Sequence, residues 1–326
     1  MKKIILASIC SLILTILSGF IIVPLLKKIK AGQTVLKYVK EHKDKNGTPT
    51  MGGVFFILPA VLMSFIFGGN GRMTVVSSAI GLAFLIVGFF DDFIKIKFKK
   101  NEGLKAYQKI IFQLSIAVVA GVFSYVNGIT VFHLPFVKKS IDLGVFTIPF
   151  VAFVFVAITN SVNLTDGLDG LAGSVSAVYL ICIAVLIGVQ TAGVSHLYLQ
   201  TEEYDKLILL SVCLSAGILG FLLFNVNKAN VFMGDTGSLA LGGFIGAISI
   251  FSSNSFFIPI IGITFVLSGI SVIVQVLHYK RTKRRVFLMA PLHHHFQLKG
   301  YTESQITYAY ALVTILFGAI SVLSYV

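Results

Sequence analysis

Ten apolar runs, each near the length needed to cross a bilayer, leave this chain little to fold into except a bundle of membrane-spanning helices. They cover residues 4–26, 52–69, 73–91, 110–127, 144–160, 170–189, 207–224, 238–252, 256–278 and 304–325, the eighth being short. A span needs about 20 predominantly apolar residues. In hydrocarbon the backbone must satisfy its own hydrogen bonds, which selects helices over open strands. Mean hydropathy is +0.93 and only 12% of residues are charged, which excludes an ordinary soluble domain. The connections are short and no internal repeat is visible, so residues 1–326 read as a single all-α polytopic integral membrane domain. The alternating segment 129–147 reads as a short outer β-hairpin. The first run follows Met1, Lys2 and Lys3 and shows no small-residue cleavage site before Leu26, so it is expected to be a retained helix. Cys10, Cys182 and Cys213 all fall inside spans and read as small buried hydrophobes.

The lysines and arginines orient the bundle. Numbered alternately, the connections after spans one, three, five, seven and nine carry 20 of the 26 Lys and Arg residues. The opposite set, including both ends of the chain, carries the other 6. Cytoplasmic loops hold the basic excess, which places the first set inside and both termini outside. The net charge of +13 is thereby accounted for by membrane orientation, and no nucleic-acid partner is expected.

That orientation gathers five aspartates on the cytoplasmic side: Asp91, Asp92, Asp166, Asp169 and Asp235. The chain has only 13 acidic residues, and a carboxylate at a helix centre in hydrocarbon costs roughly 2.5–3.5 kcal/mol on insertion scales, so such residues are functional candidates. Neighbours in a helix diverge by about 100°, so Asp91 and Asp92 are expected to divide their work, one toward metal and one toward substrate. The competing reading is two solvated carboxylates beside Lys95 and Lys97. Asp166 and Asp169 stand three apart, flanked by Gly167 and Gly170, where capping and turn formation compete with a site. Asp235 precedes Thr236-Gly-Ser238, where N–H groups at a helix start could cradle a phosphate. Together the carboxylates favour a hard divalent cation such as Mg²⁺ with substrate phosphates, and Lys45, Lys95 and Lys109 would neutralise phosphate charge. The run His293-His-His295 cannot readily aim three rings at one zinc ion, so hydrogen bonding to phosphate or hydroxyl is its favoured use. The Lys280–Arg285 run is a positive-inside anchor that could also draw in an anionic substrate.

Five motifs stand in a fixed order: Gly47-Thr-Pro-Thr-Met-Gly-Gly53, Asp91-Asp92, Asn163-Leu-Thr-Asp166-Gly-Leu-Asp169-Gly-Leu, Phe232-Met-Gly-Asp235-Thr-Gly-Ser, and Pro291-Leu-His-His-His295. Along nearly its whole length the chain resembles the phospho-N-acetylmuramoyl-pentapeptide transferases, the MraY family of the polyprenyl-phosphate hexose-1-phosphate transferase superfamily. The aspartate motifs are shared across that superfamily, and the triple histidine is specific to the muramoyl branch. The resemblance implies transfer of phospho-MurNAc-pentapeptide from UDP-MurNAc-pentapeptide to undecaprenyl phosphate, giving lipid I and UMP with Mg²⁺. It implies a bacterial plasma membrane location with the active site facing the cytoplasm, contact with membrane lipids, and a homodimer. It also implies a broken ninth helix, for which Ser268-Gly269 is the expected weak point. Gln297 stands where many members carry Glu, which puts a carboxylate role there in doubt.

Carried over motif by motif, the resemblance implies catalytic roles for Asp91, Asp92, Asp235 and His294, with Asp235 the leading Mg²⁺ ligand and Asp92 close by. Asp91 would orient or deprotonate the lipid phosphate. Asn163, Asp166, Gly167, Leu168, Asp169 and Phe232 would form the uridine pocket, Phe232 stacking on the base. Lys45, Lys95, Lys109, Asn225, His293 and His295 would hold phosphates and sugar, and Gln275 leads into the basic loop. Direct attack by the lipid phosphate and a two-step path through an acyl-phosphate both stay open. A phosphate monoester has a second pKa near ~6 and is already nucleophilic at neutral pH, which favours the direct route. The rival functions are a sister transferase for another UDP-sugar, and a transporter or lipid-binding scaffold. Transporters place ionisable groups near the bilayer midplane within repeats, unlike the one-sided cluster here.

Overall fold

The computed structural model describes residues 1–28, 47–98, 103–137, 139–192, 198–226 and 228–325. Lys45 and most of the first basic loop lie outside the described residues. The helices are α1 (Lys2–Lys28), α2 (Gly53–Gly68), α3 (Arg72–Phe98), α4 (Ala106–Val126), α5 (Thr147–Thr165), α6 (Leu171–Ala192), α7 (Tyr198–Asn225), α8 (Gly234–Phe251), α9 (Ile258–Ile261), α10 (Ile263–Thr282), α11 (Leu292–Leu298) and α12 (Glu303–Leu323). Among the described residues nine helices are long and apolar enough to cross a membrane, and α2, with 16 residues, is a shorter apolar helix. The all-α polytopic expectation holds, and α2 accounts for the tenth run. Two three-residue strands, β1 (Val131–His133) and β2 (Ser140–Asp142), pair antiparallel with Phe132 opposite Ile141, forming the expected hairpin between α4 and α5.

Helix α8 is the axis of the bundle. Every residue from Thr236 to Phe251 is buried. Without a hydrophobic force between helices in lipid, close approach relies on small residues, and α8 supplies them. A Cβ at Gly243 would lie 2.6 Å from Phe84 of α3, and one at Gly246 would lie 2.9 Å from Phe155 of α5. The outer helices turn large apolar side chains away from the protein, among them Phe20 and Ile21 of α1, Val119 of α4 and Leu277 of α10. That is the surface expected of a chain whose solvent is hydrocarbon. All three cysteines are free thiols; Cys213 is buried as expected, whereas Cys10 and Cys182 are only partly buried.

Two element boundaries differ from the sequence expectation, each for a local reason. Helix α3 runs on to Phe98, past the expected end at residue 91, because its polar last turns are paired. Asp91 and Lys95 sit at i and i+4 with their charged atoms 2.6 Å apart. The ninth span is interrupted at Gly262, between α9 and α10, and not at Ser268-Gly269. The helix passes through that pair unbroken, with the Ser268 hydroxyl donating back to Thr264 O at 2.9 Å. Gly269 serves packing instead, since a Cβ there would stand 2.7 Å from Ser161 Oγ of α5.

Carboxylates from neighbouring helices close the ends of α3 and α8. At the start of α3, Glu203 of α7 accepts from the N–H groups of Arg72 at 3.0 Å and Met73 at 2.8 Å. The first turn of any helix leaves such donors without intrahelical partners, and an acid there also suits the helix dipole.

Candidate active site

Three carboxylates meet where the end of α3 touches the start of α8. Asp91, Asp92 and Asp235 each place an oxygen within 4.8 Å of the others. The approach depends on Gly88, one turn before Asp92, because a Cβ there would run into the carbonyl group of Asp235. Asp91 and Asp92 are both about 1% exposed, yet they face different ways, as helical divergence requires. Asp91 looks toward α4: Leu104 N–H donates to its Oδ1 at 2.9 Å, and Lys109 Nζ lies 3.3 Å from the same atom. Asp92 looks toward α8, where it accepts from Asp235 N–H at 3.3 Å, Thr236 N–H at 3.0 Å and the Thr236 hydroxyl at 2.7 Å. Two of the backbone donors at the start of α8, those of Asp235 and Thr236, thus go to Asp92.

Among the described residues, the Asp235 carboxylate is held by side chains, Asp91 among them. Lys95 and Lys109 donate to its Oδ2 at 2.9 and 2.7 Å, and Asn163 Nδ2 donates to its Oδ1 at 2.6 Å. Asn163 also reaches Ser238 Oγ at 2.9 Å, so it belongs to the acid cluster and not to a separate pocket. Three carboxylates against the two ammonium groups of Lys95 and Lys109 leave a formal negative charge. That all-oxygen donor set with residual negative charge fits a hard divalent cation. A cavity of about 530 Å³ opens on the cluster, lined by Asp91, Lys95, Gly103, Leu104, Lys105, Ala106, Lys109, Asn163 and Asp235.

The first and fourth motifs are joined through their backbones. Phe232 N–H donates to Pro49 O, Gly52 N–H to Phe232 O, and Gly53 N–H to Met233 O. The Phe232 ring is half-buried beside this ladder.

The turn between α5 and α6 brings the second group together. The Asp169 carboxylate accepts from Ala229 N–H at 3.1 Å, and its own N–H donates to Glu303 of α12 at 3.0 Å. Asn225 accepts from Gly170 N–H at 3.0 Å and donates to Val231 O at 2.9 Å. Both residues therefore fasten loops to one another. Leu168 is buried in the core. Asp166 is half-buried, and its carboxyl is pushed well above the usual carboxylate range by burial, then by the charges of Asp235, Asp92 and Asp169. A raised carboxyl binds its proton more tightly in the fold than in the unfolded chain, whose value is 3.8. Its stabilising contribution is complete below that value and is lost as pH rises through the folded value. Asp166→Asn is accordingly expected to flatten the fall in thermal stability above pH ~4, read by unfolding scans across pH. Asn225→Ala strands two buried backbone groups and is expected to cost about 2 kcal/mol or more, read by thermal unfolding in detergent.

The histidines divide by environment on α11. His293 is fully buried, with no hydrogen-bond partner on either ring nitrogen among the described residues, and burial followed by His294 holds its pKa well below the ordinary value. His294 Nδ1 lies 3.0 Å from Gln297 Oε1, which favours the proton on Nδ1 and leaves Nε2 an acceptor. A Cβ at Gly167 would stand 3.0 Å from that Nε2 and collide with His293 Nε2. The missing side chain at Gly167 is what lets both rings reach the α5–α6 turn. His295 instead accepts Leu288 N–H on Nδ1 at 3.1 Å. Gln275 accepts from the N–H groups of Val286 and Phe287, each at 3.0 Å, and donates to Phe287 O at 3.1 Å. These last two side chains shape the basic loop.

Every site element lies at the C-terminal end of an odd-numbered span or the start of an even one, so the five motifs share one end of the bundle. Sequence reasoning passed over Gly88, Gly103 and Glu303, and it read Thr236 and Ser238 for their backbone N–H groups and not for their hydroxyls. Thr236 and Ser238 stood inside a quoted motif, whereas Glu303 carried no local signal because its partner is in a distant turn.

The family model for glycosyl transferase family 4 matches residues 73–253, and signature 1 of the phospho-N-acetylmuramoyl-pentapeptide-transferases matches residues 45–57. A protein of that name from Thermoanaerobacter sp. is 42% identical over 319 residues, covering 97% of this chain and 96% of the relative. Others of the same name are 41% identical in Caldanaerobacter subterraneus, covering 97% and 96%, and 40% identical in Desulfitobacterium hafniense, covering 99% and 98%.

Proposed function

The chain belongs to the phospho-N-acetylmuramoyl-pentapeptide-transferase family and is a transferase; on that premise we propose that it moves phospho-MurNAc-pentapeptide from UDP-MurNAc-pentapeptide to undecaprenyl phosphate, producing lipid I and UMP for peptidoglycan synthesis. The observation that carries this reading is the meeting of three carboxylates and two lysines beside one cavity at the end of the bundle where all five motifs gather. In this reading residues 1–326 act as a single domain in the bacterial plasma membrane, with the site facing the cytoplasm and two copies forming a homodimer.

Asp235 is the proposed Mg²⁺ ligand, with the α3 carboxylates beside it. When bound, the ion would supply Lewis-acid neutralisation of the diphosphate. Lys95 and Lys109, which now bond Asp235, are placed to turn their ammonium groups to phosphate oxygens in the cavity. Asp91, fixed by Leu104 N–H, faces the same cavity and would orient the lipid phosphate. An oxygen of that phosphate then bonds to the sugar-bearing phosphorus as the bond to UMP breaks, so UMP leaves with the electron pair. Asp166, Asp169, Gly167 and Phe232 are proposed to hold the uridine, and His293 and His294 the phosphates and sugar, with His294 Nε2 accepting a hydroxyl proton. Asn225, Gln275 and His295 contribute by holding these loops in place.

The test is production of UMP and lipid I by purified protein given both substrates and Mg²⁺, with none after chelation. Equal turnover of UDP-GlcNAc would favour the sister-transferase reading. Absence of UMP with every UDP-sugar and polyprenyl phosphate would leave a transporter or lipid-binding scaffold. A stoichiometric burst of UMP without lipid phosphate would favour the two-step route.

A further inference from the structure

Asp92 lies within the carboxylate cluster, but its oxygens are largely engaged by the start of α8. Its Oδ2 accepts from both the backbone and the hydroxyl of Thr236, and its Oδ1 from Asp235 N–H, with Lys95 Nζ 3.7 Å away. A carboxylate has about four lone-pair sites, so three are committed to the first turn of α8. Asp235 differs, since its partners include two lysines and an amide, beside the Asp91 carboxyl, all on side chains that can yield to an incoming ion.

The donors that Asp92 accepts would otherwise be orphaned. Residue Met233 occupies the position from which a side chain normally caps a helix, and it makes no such bond. Gly234, with φ at +72°, leaves the space: a Cβ there would strike Asp92 Oδ2 and Thr50 Oγ1. Gly88 keeps the two helices close enough for the bond to form.

We propose that Asp92 acts as a positioning residue that caps α8 from α3, with Thr236 as its partner, fixing the first turn that carries Asp235, and that it does not ligate the cation. The inference rests on the reading of Asp235 as the ligand. It separates two adjacent acids that local sequence cannot tell apart: Asp91 faces the cavity, and Asp92 faces a helix end.

The experiment uses full-length protein in detergent with the variants Asp92→Asn, Asp92→Ala, Thr236→Val, Thr236→Ser and Asp235→Asn. Binding of Mn²⁺ is followed by electron paramagnetic resonance, with kcat and KM measured alongside. Asn keeps one of the two accepting oxygens and turns the other into a donor, so Asp92→Asn weakens the cap and is expected to keep Mn²⁺ affinity within about threefold while kcat falls about tenfold with KM little changed. Thr236→Val should lower kcat similarly and Thr236→Ser recover most of it. The double variant Asp92→Asn/Thr236→Val should lose less than the product of the two single losses, because the two act through one contact. Asp235→Asn alone should lose Mn²⁺ affinity by more than about tenfold. Loss of Mn²⁺ affinity in Asp92→Asn matching that of Asp235→Asn overturns the proposal, as does wild-type kcat in Thr236→Val. Hydrogen exchange at the Asp235 and Thr236 amides needs no turnover: it should accelerate in Asp92→Ala, and unchanged protection there overturns the cap even if the wild type fails to release UMP. Failure of wild-type turnover alone, by contrast, counts against the proposed reaction.

Discussion

Asp235→Asn is expected to lower turnover by about a thousandfold or more while the protein stays folded, because the change reverses one oxygen's role without changing its size. In the native site Oδ2 accepts from Lys95 and Lys109. An amide nitrogen in its place turns two attractive contacts into donor facing donor and removes the charge on which a divalent cation would depend. The other oxygen can still accept from Asn163. The helix itself should not notice, since Asp92 bonds the Asp235 backbone and not its side chain. Turnover measured beside thermal unfolding and size-exclusion behaviour checks both halves. Near-normal turnover would remove Asp235 from the centre of the reaction.

Gly88→Ala is expected to damage the protein more than a single methyl group normally would. The new Cβ would meet the carbonyl group of Asp235, which is backbone of a helix buried on every side and cannot swing away. Helix α3 must therefore retreat from α8, taking Asp91, Asp92 and Lys95 with it. Overpacking of this kind typically costs about 1–3 kcal/mol, and a displacement near 1 Å at a reacting centre can cost about a hundredfold in rate. Gly188→Ala is the matched control. Among the described residues its Cβ would find only Ile208, at 3.9 Å, and alanine is the better helix former by roughly 1 kcal/mol. Lower stability together with lost turnover in the first variant and neither in the second supports the helix contact as the cause. Equal behaviour of the two would show that α3 and α8 do not need this approach.

The number of spans was legible because the bilayer imposes a length on each apolar run. The five motifs were legible as one site for the same reason: alternate connections must return to the same face. What stayed hidden is the registry between helices. Nothing near Asp92 in sequence says that its oxygens meet the first turn of α8, since that depends on Gly88 and Gly234 leaving room from two separate helices. Glu303 meeting the Asp169 backbone is hidden for a similar reason, spanning 134 positions of chain. The bend of the ninth span at Gly262 and the extension of α3 to Phe98 show local pattern yielding to packing and to paired charge. Asn225, Gln275 and His295 carry polar groups at the right end of the molecule, yet their bonds go to loop backbone. Residue type alone does not distinguish a group that grips ligand from one that grips the chain.

Helix α3 is pinned at both faces of the bundle, by Glu203 of α7 at its start and through Asp92 to α8 at its far end. A rod stapled at each end cannot slide along its axis when the surrounding bilayer thins or thickens. Mismatch with the lipid must then be taken up by the outer helices, by tilt or by local deformation of the membrane. The distance between the two faces becomes a fixed dimension of the protein at this one rod, and the reacting groups are mounted on its end.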